Sequence, residues 1–430
     1  MSSSSHASRP GSRAGDAGQK VRVAVRVRPP LDKAGAAECI VCNEDGHMLT
    51  LDLDASAGGG AWPLRGPRAR SFSFDSVHER TTTQEELFMG CGMPELLEAA
   101  LDGYTSTVFA YGQTGSGKTY TVSGPPVGRG NTSASQMPGP GTPAPSAGLM
   151  QRCATYLYEG MGRREGVRYT VRATYLEIYN EQVVDLIEPG PPLPVRGSVG
   201  TGFYVEDLSV VECRGLKDLQ YVIARGMESR HRRVHQLNSD SSRSHSIFSV
   251  YLDAADGDEA DAYRFGRVSL LDLAGSENVR TSGSHGAGLK EAGSINKSLF
   301  ALGQVIKALA LDGSSRSGST ALAPSGSGVG RLAPHVPYRD SNLTKLLSDS
   351  LGGSALTLMI ACCSPFLAYA DESMRTLHYA CSAGAIRNRP VVKLDPQEQL
   401  IAQVSGQAGR SVGWLVGWLV GWLVGRLVGW

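Results

Sequence analysis

The stretch GQTGSGKT at residues 112–119 constrains the fold of this chain more than any other feature. It matches G-x-x-x-x-G-K-[ST] at every fixed position, and it lies between a strand-like run and a helical run, as that motif requires. Its glycines would let consecutive backbone N–H groups point inward around phosphate, beside the positive end of the following helix. Lys118 would reach the β- and γ-phosphates, and the Thr119 hydroxyl would face Mg²⁺.

Polar residues beside two later strands extend this predicted site. Asp272 lies near the end of the apolar run VSLLDL, where an aspartate can hold a metal-bound water. The next residues, AGSE (274–277), contain a glycine whose N–H can meet a γ-phosphate and whose hinge can sense hydrolysis. NSDSSRSH (238–245) precedes another strand, although so dense a run of hydroxyls is by itself more often a solvated loop.

Strand-like and helical patterns alternate along the chain, which predicts one α/β domain with a central sheet. Strands are predicted at 21–30, 49–54, 72–78, 106–112, twice within 167–187, and at 245–254, 267–275 and 355–363. Helices are predicted at 84–101 with breaks at Gly90 and Gly92, and at 216–234, 290–310, 341–351 and 369–388. The run VSLLDL is apolar enough for a central strand that is buried on both faces.

Composition narrows the function classes. Lys plus Arg number 42 and Asp plus Glu number 41, so the net charge of +1 excludes a strongly basic, tail-like nucleic-acid binder. The 53 glycines and 22 prolines predict long loops, at 124–147 and 312–334. Eight scattered cysteines indicate a reducing compartment. Cys39 and Cys42 form a CxxC without the second ligand pair of a zinc site, so small buried thiols are favoured.

The two ends of the chain have biased composition. Residues 1–19 lack the apolar core of a signal peptide, and a disordered leader is favoured over a transit peptide. The tail at 401–430 contains VGWLVGWLVGWLVGRLVGW (412–430), a WLVG repeat. Its spaced glycines mimic a transmembrane packing motif, although Arg426 would lie inside the span. A repeated TGGT tetranucleotide also translates as Trp-Leu-Val-Gly, and we favour that origin over a membrane anchor.

Taken together, these motifs resemble the kinesin motor domain across about residues 20–395. The matching segments occur in the family's order: FAYGQTGSGKTYT, NSDSSRSH, LLDLAGSE, KEAGSINKSLFALGQVI and HVPYRDSNLTKLL. The resemblance implies a P-loop NTPase fold, with a mixed, mainly eight-stranded sheet flanked by three helices on each face. It assigns residues 20–386 to the motor domain and implies ATP and Mg²⁺ as cofactors and microtubules as partner.

The resemblance also implies roles at the nucleotide site. Residues implied to bind the nucleotide are Arg26, Arg28, Pro29, Gly112, Gln113, Thr114, Gly115, Ser116, Gly117, Lys118, Thr119, Tyr120, Ser241 and Ser242, with Tyr120 stacking on the base. Thr119, Ser241 and Asp272 would hold Mg²⁺, Asp272 through water. The catalytic set is Lys118, Ser242, Arg243, Gly275 and Glu277. Arg243 would pair with Glu277, which accepts a proton from the attacking water.

The remaining assignments concern contacts with the microtubule, here called the track, and the segment that follows the motor domain. Tubulin is acidic, so the expected contacts are basic, at Lys290, Lys297, Arg339 and Lys345. Residues 387–400 resemble the neck linker, which implies plus-end direction. Lys393 or Leu394 stands where the family often has an asparagine latch, and Asn342 replaces a usual lysine. The neck-linker departure concerns docking and force more than ATP binding, and Asn342 leaves one track-contact charge missing.

The sequence therefore predicts a microtubule-stimulated ATPase motor of the cytoplasm and cytoskeleton. The alternative is a non-motile, nucleotide-dependent microtubule-binding or regulatory protein, because this chain has no heptad stalk that would dimerise it. Stimulated turnover favours the motor, and tight binding without it favours the alternative. Neither nucleic acid nor membrane is expected as a partner, and the oligomeric state stays open.

Overall fold

The computed structural model describes residues 18–30, 37–52, 69–125, 143–199, 202–236, 241–256, 263–277, 297–311 and 335–393. The leader up to residue 17, most of the loop 124–147, all of the loop 312–334 and the tail lie outside the described residues. Within those residues, no helix combines the length and the apolar composition that crossing a bilayer needs.

The described strands and helices follow the predicted alternation. The strands are β1 (Gln19–Lys20), β2 (Arg22–Val27), β3 (Ile40–Cys42), β4 (Met48–Asp52), β5 (Ala69–Ser73), β6 (Ser76–His78), β7 (Thr105–Tyr111), β8 (Val167–Tyr179), β9 (Gln182–Asp185), β10 (Val195–Ser198), β11 (Gly202–Val205), β12 (Val211–Glu212), β13 (His245–Asp256), β14 (Tyr263–Asp272), β15 (Leu356–Cys363) and β16 (Arg387–Asn388). The helices are α1 (Gln84–Gly90), α2 (Met93–Leu101), α3 (Lys118–Ser123), α4 (Leu149–Gly162), α5 (Leu216–Gln236), α6 (297–311), α7 (Asn342–Leu346) and α8 (Ala370–Gly384).

The central sheet is mixed, as predicted. Its main path runs β12–β8–β13–β14–β7–β15–β2–β6, and β9 pairs with β8 beside that path. From β14 to β6 each neighbouring pair is parallel, whereas each neighbouring pair from β12 to β14 is antiparallel. β14 lies in the middle of the sheet and its last five residues are buried, which confirms the central strand inferred from its apolar run.

Helices cover both faces of the sheet. One hydrophobic cluster joins the sheet to α6, α7 and α8, with residues such as Leu302, Leu343 and Leu377 fully buried. A second cluster joins the opposite face to the longer helices α2, α4 and α5, through residues such as Leu97 and Leu157. The short helices α1 and α3 pack on that second face. Apart from the short α1 and α3, the described residues place three helices on each face, in agreement with the implied architecture.

Local sequence explains where several elements begin and end. Thr83 and Glu86 form a capping box at the start of α1, since each side chain bonds the other residue's backbone N–H. Gly92, at φ 91°, separates α1 from α2, which confirms the predicted break. The strand predicted at 72–78 divides into β5 and β6. The helix predicted at 341–351 ends at Leu346, where the chain enters a series of turns.

The sheet topology determines where a ligand can bind. β2, β7 and β14 are linked through parallel pairs, so their carboxyl ends lie at one edge of the sheet. β13 runs antiparallel to β14, so its first residue, His245, lies at that same edge. In open α/β sheets, ligands bind outside the carboxyl ends of the strands. This edge carries the loop 112–119, Asp272 and the SSRSH segment, which are far apart in sequence.

Candidate functional site

A pocket of about 500 Å³ opens at this edge of the sheet, within the size range of small-ligand sites. Its walls come from the end of β2, the loop after β7, the segment before β13 and the residue after β14. The lining residues are Arg26, Arg28, Pro29, Arg80, Thr82, Thr114, Gly115, Gly117, Lys118, Thr119, Tyr120, Ser242 and Leu273. Most residues predicted to bind the nucleotide therefore lie around one cavity, and sequence reasoning missed Arg80, Thr82 and Leu273.

The loop after β7 has the backbone that a phosphate cradle needs. Its glycines all have positive φ, at 150° for Gly112, 75° for Gly115 and 100° for Gly117. A Cβ on Gly112 would lie 2.2 Å from the carbonyl oxygen of Cys362, so a side chain would disrupt the approach of β7 to β15. Lys118 is buried, which lowers the pKa of its ammonium, and it donates to the carbonyl oxygens of Gly112 and Gln113, both at 2.8 Å.

Asp272 is the fully buried acid of the site. Its Oδ2 accepts from the Thr119 hydroxyl at 2.8 Å and from the Arg230 guanidinium at 2.6 Å. Its Oδ1 is also buried, and none of the described residues bonds to it. Arg230 is 7% exposed and lies 4.0 Å from Glu177 as well, so two carboxylates balance its buried charge. Arg230 and Glu177 were missed because isolated charged residues in a helix and a strand carry no motif.

The two loops that flank the pocket bond directly to each other. The N–H of Gly275 donates to the carbonyl oxygen of Ser242 at 2.7 Å, so this N–H is engaged between the loops in this structure. Ser241, Ser242 and Arg243 form one 3-10 turn. Ser276 donates its N–H to the carbonyl oxygen of Gly112 at 3.1 Å. The segment after β14 is therefore tied to both the phosphate loop and the segment before β13.

Glu277 lies against the phosphate loop. Its Oε2 accepts from the backbone N–H of Thr114 at 2.7 Å, and its Oε1 bonds to the Thr114 hydroxyl. Gly275 completes this contact, because a Cβ on it would lie 2.3 Å from the Thr114 hydroxyl oxygen and 2.4 Å from Glu277 Oε2. Glu277 thus reaches the predicted catalytic site, while its pairing with Arg243 stays a prediction.

The predicted adenine side contains a buried support for Tyr120. The Arg26 guanidinium donates to Gln84 at 2.8 Å and to Thr121 at 2.9 Å, and it lies 5.4 Å from the centre of the Tyr120 ring. Gln84 also donates to the Tyr120 carbonyl at 2.6 Å. Tyr120 itself is 43% exposed. The backbone of Tyr120 and one face of its ring are thus held in place, while much of the ring surface stays accessible. Stacking on a nucleotide base requires this accessibility.

Comparison with known proteins identifies the family. The family model of the kinesin motor domain matches residues 26–386. The chain is 42% identical to the kinesin-like protein KIF12 of Mus musculus over 330 residues, which are 74% of this chain and 47% of that protein. It is 34% identical to the kinesin-like protein KIF3C of Pongo abelii, over 92% of this chain and 48% of that protein.

The chain belongs to the kinesin motor domain family. A solved structure titled "Structure of a fast kinesin: Implications for ATPase mechanism and interactions with microtubules" is similar, with a TM-score of 0.70 and 32% identity, over 88% of this chain and 95% of that chain. The family resemblance and the P-loop fold inferred from the motifs are thereby confirmed. The kinesin motor fold implies nucleotide binding. The chain spans less than half the length of the curated relatives it matches.

The track residues expected of a kinesin are only partly described. Lys297 is exposed on α6, and Arg339 is exposed in the turn before α7. Lys345 is half-buried and donates to the Asn342 side chain at 2.9 Å. Asn342 in turn bonds to Glu181 through its backbone N–H at 2.7 Å. Lys290 lies outside the described residues. Asn342 thus connects the start of α7 to Glu181 and holds the Lys345 ammonium.

The segment that resembles a kinesin neck linker is described up to residue 393. Asn388 donates its side-chain amide to the carbonyl oxygens of Ser350 and Ala355, which fixes the exit from α8. Further along, the Lys393 N–H donates to the Gly103 carbonyl at 3.1 Å, and its carbonyl accepts from the Phe265 N–H at 2.8 Å. The segment therefore follows the core as far as Lys393.

Of the two cysteines in the CxxC pair, Cys39 is buried and Cys42 is half-buried. Among the residues that the structure describes, no three histidine, cysteine or acidic side chains cluster as a metal site requires. Burial raises the pKa of the Cys39 thiol to about 11, so this thiol is protonated at neutral pH.

Proposed function

We propose that this chain is an ATP-hydrolysing microtubule motor whose turnover is stimulated by the track. The observation that carries the proposal is the convergence of Lys118, Thr119, Asp272 and Glu277 at one pocket of a kinesin motor fold. Phosphoryl transfer relies on positioning and charge stabilisation, and these four side chains supply a cation, a hydroxyl and two carboxylates.

The residues present fit ATP with Mg²⁺. Beside the Thr119 hydroxyl, Asp272 keeps a buried Oδ1 to which none of the described residues bonds, and the buried Ser116 hydroxyl is in the same situation. Thr119, Asp272 through water and Ser241 would hold the metal, which supplies charge neutralisation on the phosphates. An ammonium has three N–H donors, and described residues accept two from Lys118, so the third can bind phosphate.

Glu277 is the proton acceptor in this proposal. It stands beside the phosphate loop through its bonds to Thr114, and Gly275 leaves room for it by lacking a Cβ. The bond between Gly275 and Ser242 links the two loops that flank the pocket. In this proposal, these loops close over the nucleotide and orient the attacking water. Arg243 then stabilises the closed form. Tyr120 stacks on the base.

The microtubule is the proposed track, with Lys290, Lys297, Arg339 and Lys345 as its basic contacts. Exposed cations that approach an acidic surface raise the association rate in a salt-dependent way. The position of residues 387–393 after α8 and along the core supports a neck linker and plus-end direction. Kinesins are generally cytoskeleton-associated proteins of the cytoplasm, and we propose that location here.

The test is the ATPase rate of the full chain with and without taxol-stabilised microtubules. The proposal expects stimulation of about tenfold or more, since allosteric coupling between two sites typically amounts to 5–150-fold. Actin filaments serve as a control for non-specific binding to an acidic polymer. Binding of microtubules without faster turnover would contradict the motor and leave the non-motile alternative.

A further inference from the structure

The first residue of β13, His245, connects two functional elements through its two ring nitrogens. The ring is buried at 2% exposure. Its Nδ1 accepts the backbone N–H of Ala274 at 3.0 Å, and its Nε2 lies 2.7 Å from the hydroxyl oxygen of Ser298. The imidazole therefore lies between the segment after β14 and the start of the described part of α6.

Hydrogen-bond chemistry determines the tautomer of this ring. A backbone N–H can only donate, so Nδ1 must be the unprotonated acceptor. The neutral ring then carries its hydrogen on Nε2 and donates it to Ser298. Burial, followed by the nearby Arg230 charge, lowers the pKa of His245 to about 3, in agreement with a neutral imidazole.

Each end of this connection lies next to a part of the proposed mechanism. Ala274 precedes Gly275, which bonds to Ser242 and packs against Glu277. Ser298 follows Lys297, an exposed cation of the proposed track face. Residues such as Leu302 anchor α6 in the core, and Ser298 lies on this helix directly after Lys297.

We propose that His245 is a positioning residue that couples α6 to the segment 273–277, and that its bond to Ser298 transmits track binding to Gly275 and Glu277. The inference rests on the proposed function and deepens it by naming a contact through which the track regulates turnover. His245 is not among the residues that line the pocket, so in this proposal it acts through the loop that it holds.

Two substitutions break the α6 end of the connection. Ser298→Ala removes the hydroxyl acceptor with little risk to folding, because alanine favours the helix. His245→Asn keeps an amide oxygen that can accept from Ala274 but is too short to reach Ser298. The matched control is Ser269→Ala, which removes a buried serine hydroxyl that lies 2.9 Å from Ser249 between β13 and β14.

The measurement is the ratio of microtubule-saturated to microtubule-free ATPase turnover in the full chain. A buried neutral hydrogen bond implies a loss of about five- to tenfold in this ratio for both variants, with basal turnover within about twofold of wild type. The ratio in the double variant should fall no further than in either single variant, since both substitutions remove the same His245–Ser298 hydrogen bond. Ser269→Ala should keep the wild-type ratio.

A ratio in Ser298→Ala within about twofold of the control would overturn the inference, as would equal loss of basal and stimulated turnover. Hydrogen exchange without microtubules separates this failure from failure of the proposed function. Ser298→Ala should speed exchange of the Ala274 amide about fivefold, because the ring that accepts it loses its second anchor. If microtubules do not stimulate wild-type turnover, the proposed motor function is refuted. If Ser298→Ala also leaves the exchange rate of the Ala274 amide unchanged, the coupling through His245 is refuted as well.

Discussion

The nucleotide pocket and the surface that we propose faces the track, called the track-facing surface, differ in how their charged residues are held. In the pocket, Lys118 and Asp272 are almost fully buried and bonded to neighbouring elements. On the track-facing surface, Lys297 and Arg339 are exposed. A buried charge is placed by the fold and is costly to disturb, whereas an exposed charge contributes a small, salt-screened amount. The fold thus specifies the pocket residue by residue and the track contact mainly by its overall charge.

The comparison predicts its largest effect for Lys118→Ala. We expect loss of nucleotide affinity by about a hundredfold or more, because the substitution removes the buried cation next to the phosphates. Titration with a fluorescent ADP analogue measures this. Lys217→Ala, which removes an exposed lysine on α5, should leave the affinity unchanged. Equal affinities for the two variants would show that the loop does not bind phosphate through Lys118.

The second-largest effect is expected for Glu277→Ala, on the rate of ATP turnover. Loss of a positioned proton acceptor typically lowers turnover by about 10²–10⁴-fold, so we expect ATP to bind and hydrolysis to stop. Quench-flow with radiolabelled ATP separates the two steps. Glu181→Ala, a carboxylate that orders Ser341 and Asn342 outside the pocket, is the control. Normal turnover in Glu277→Ala would remove this residue from the catalytic set.

Arg339→Ala tests the other side of the comparison. We expect the microtubule concentration for half-maximal stimulation to rise about three- to fivefold, as for loss of one exposed charge pair, while turnover without microtubules is unchanged. The effect should fade as salt increases. Arg232→Ala on α5, exposed on the opposite face, is the control. A change in nucleotide affinity for Arg339→Ala would contradict the separation of the track-facing surface from the pocket.

The smallest effect is expected at Lys393, whose ammonium lies 2.8 Å from Asp349 Oδ2. Both side chains are about one-third exposed, so the pair contributes at most about 1 kcal/mol. Lys393→Ala should therefore speed hydrogen exchange of the Phe265 amide by no more than about fivefold. Asp349→Ala should speed this exchange at least as much, because Arg267 also lies 3.8 Å from Asp349 Oδ2, and adding Lys393→Ala to it should change nothing further. A much larger increase would mean that the side chain, rather than the backbone bonds, holds the segment.

Some parts of the fold and of the pocket could be predicted from the sequence, and others could not. The loop 112–119 was predictable because its glycines need positive φ and close backbone approach, which few residue types allow. The central sheet followed from apolar runs such as the one before Asp272. Arg230, Glu177 and His245 were not predictable, because their roles arise from burial against residues distant in the chain. The short strands β10, β11 and β12 were missed because two to four residues are too few to show an alternating pattern.

The central claim is that the track-facing surface controls the nucleotide pocket through the body of the domain. Release of a fluorescent ADP analogue from the full chain, timed by stopped flow with and without microtubules, tests it most directly. Release should be at least about tenfold faster on saturating microtubules, within the range of allosteric coupling, and Ser298→Ala should show a smaller acceleration. Equal release rates under conditions where the chain sediments with microtubules would contradict it.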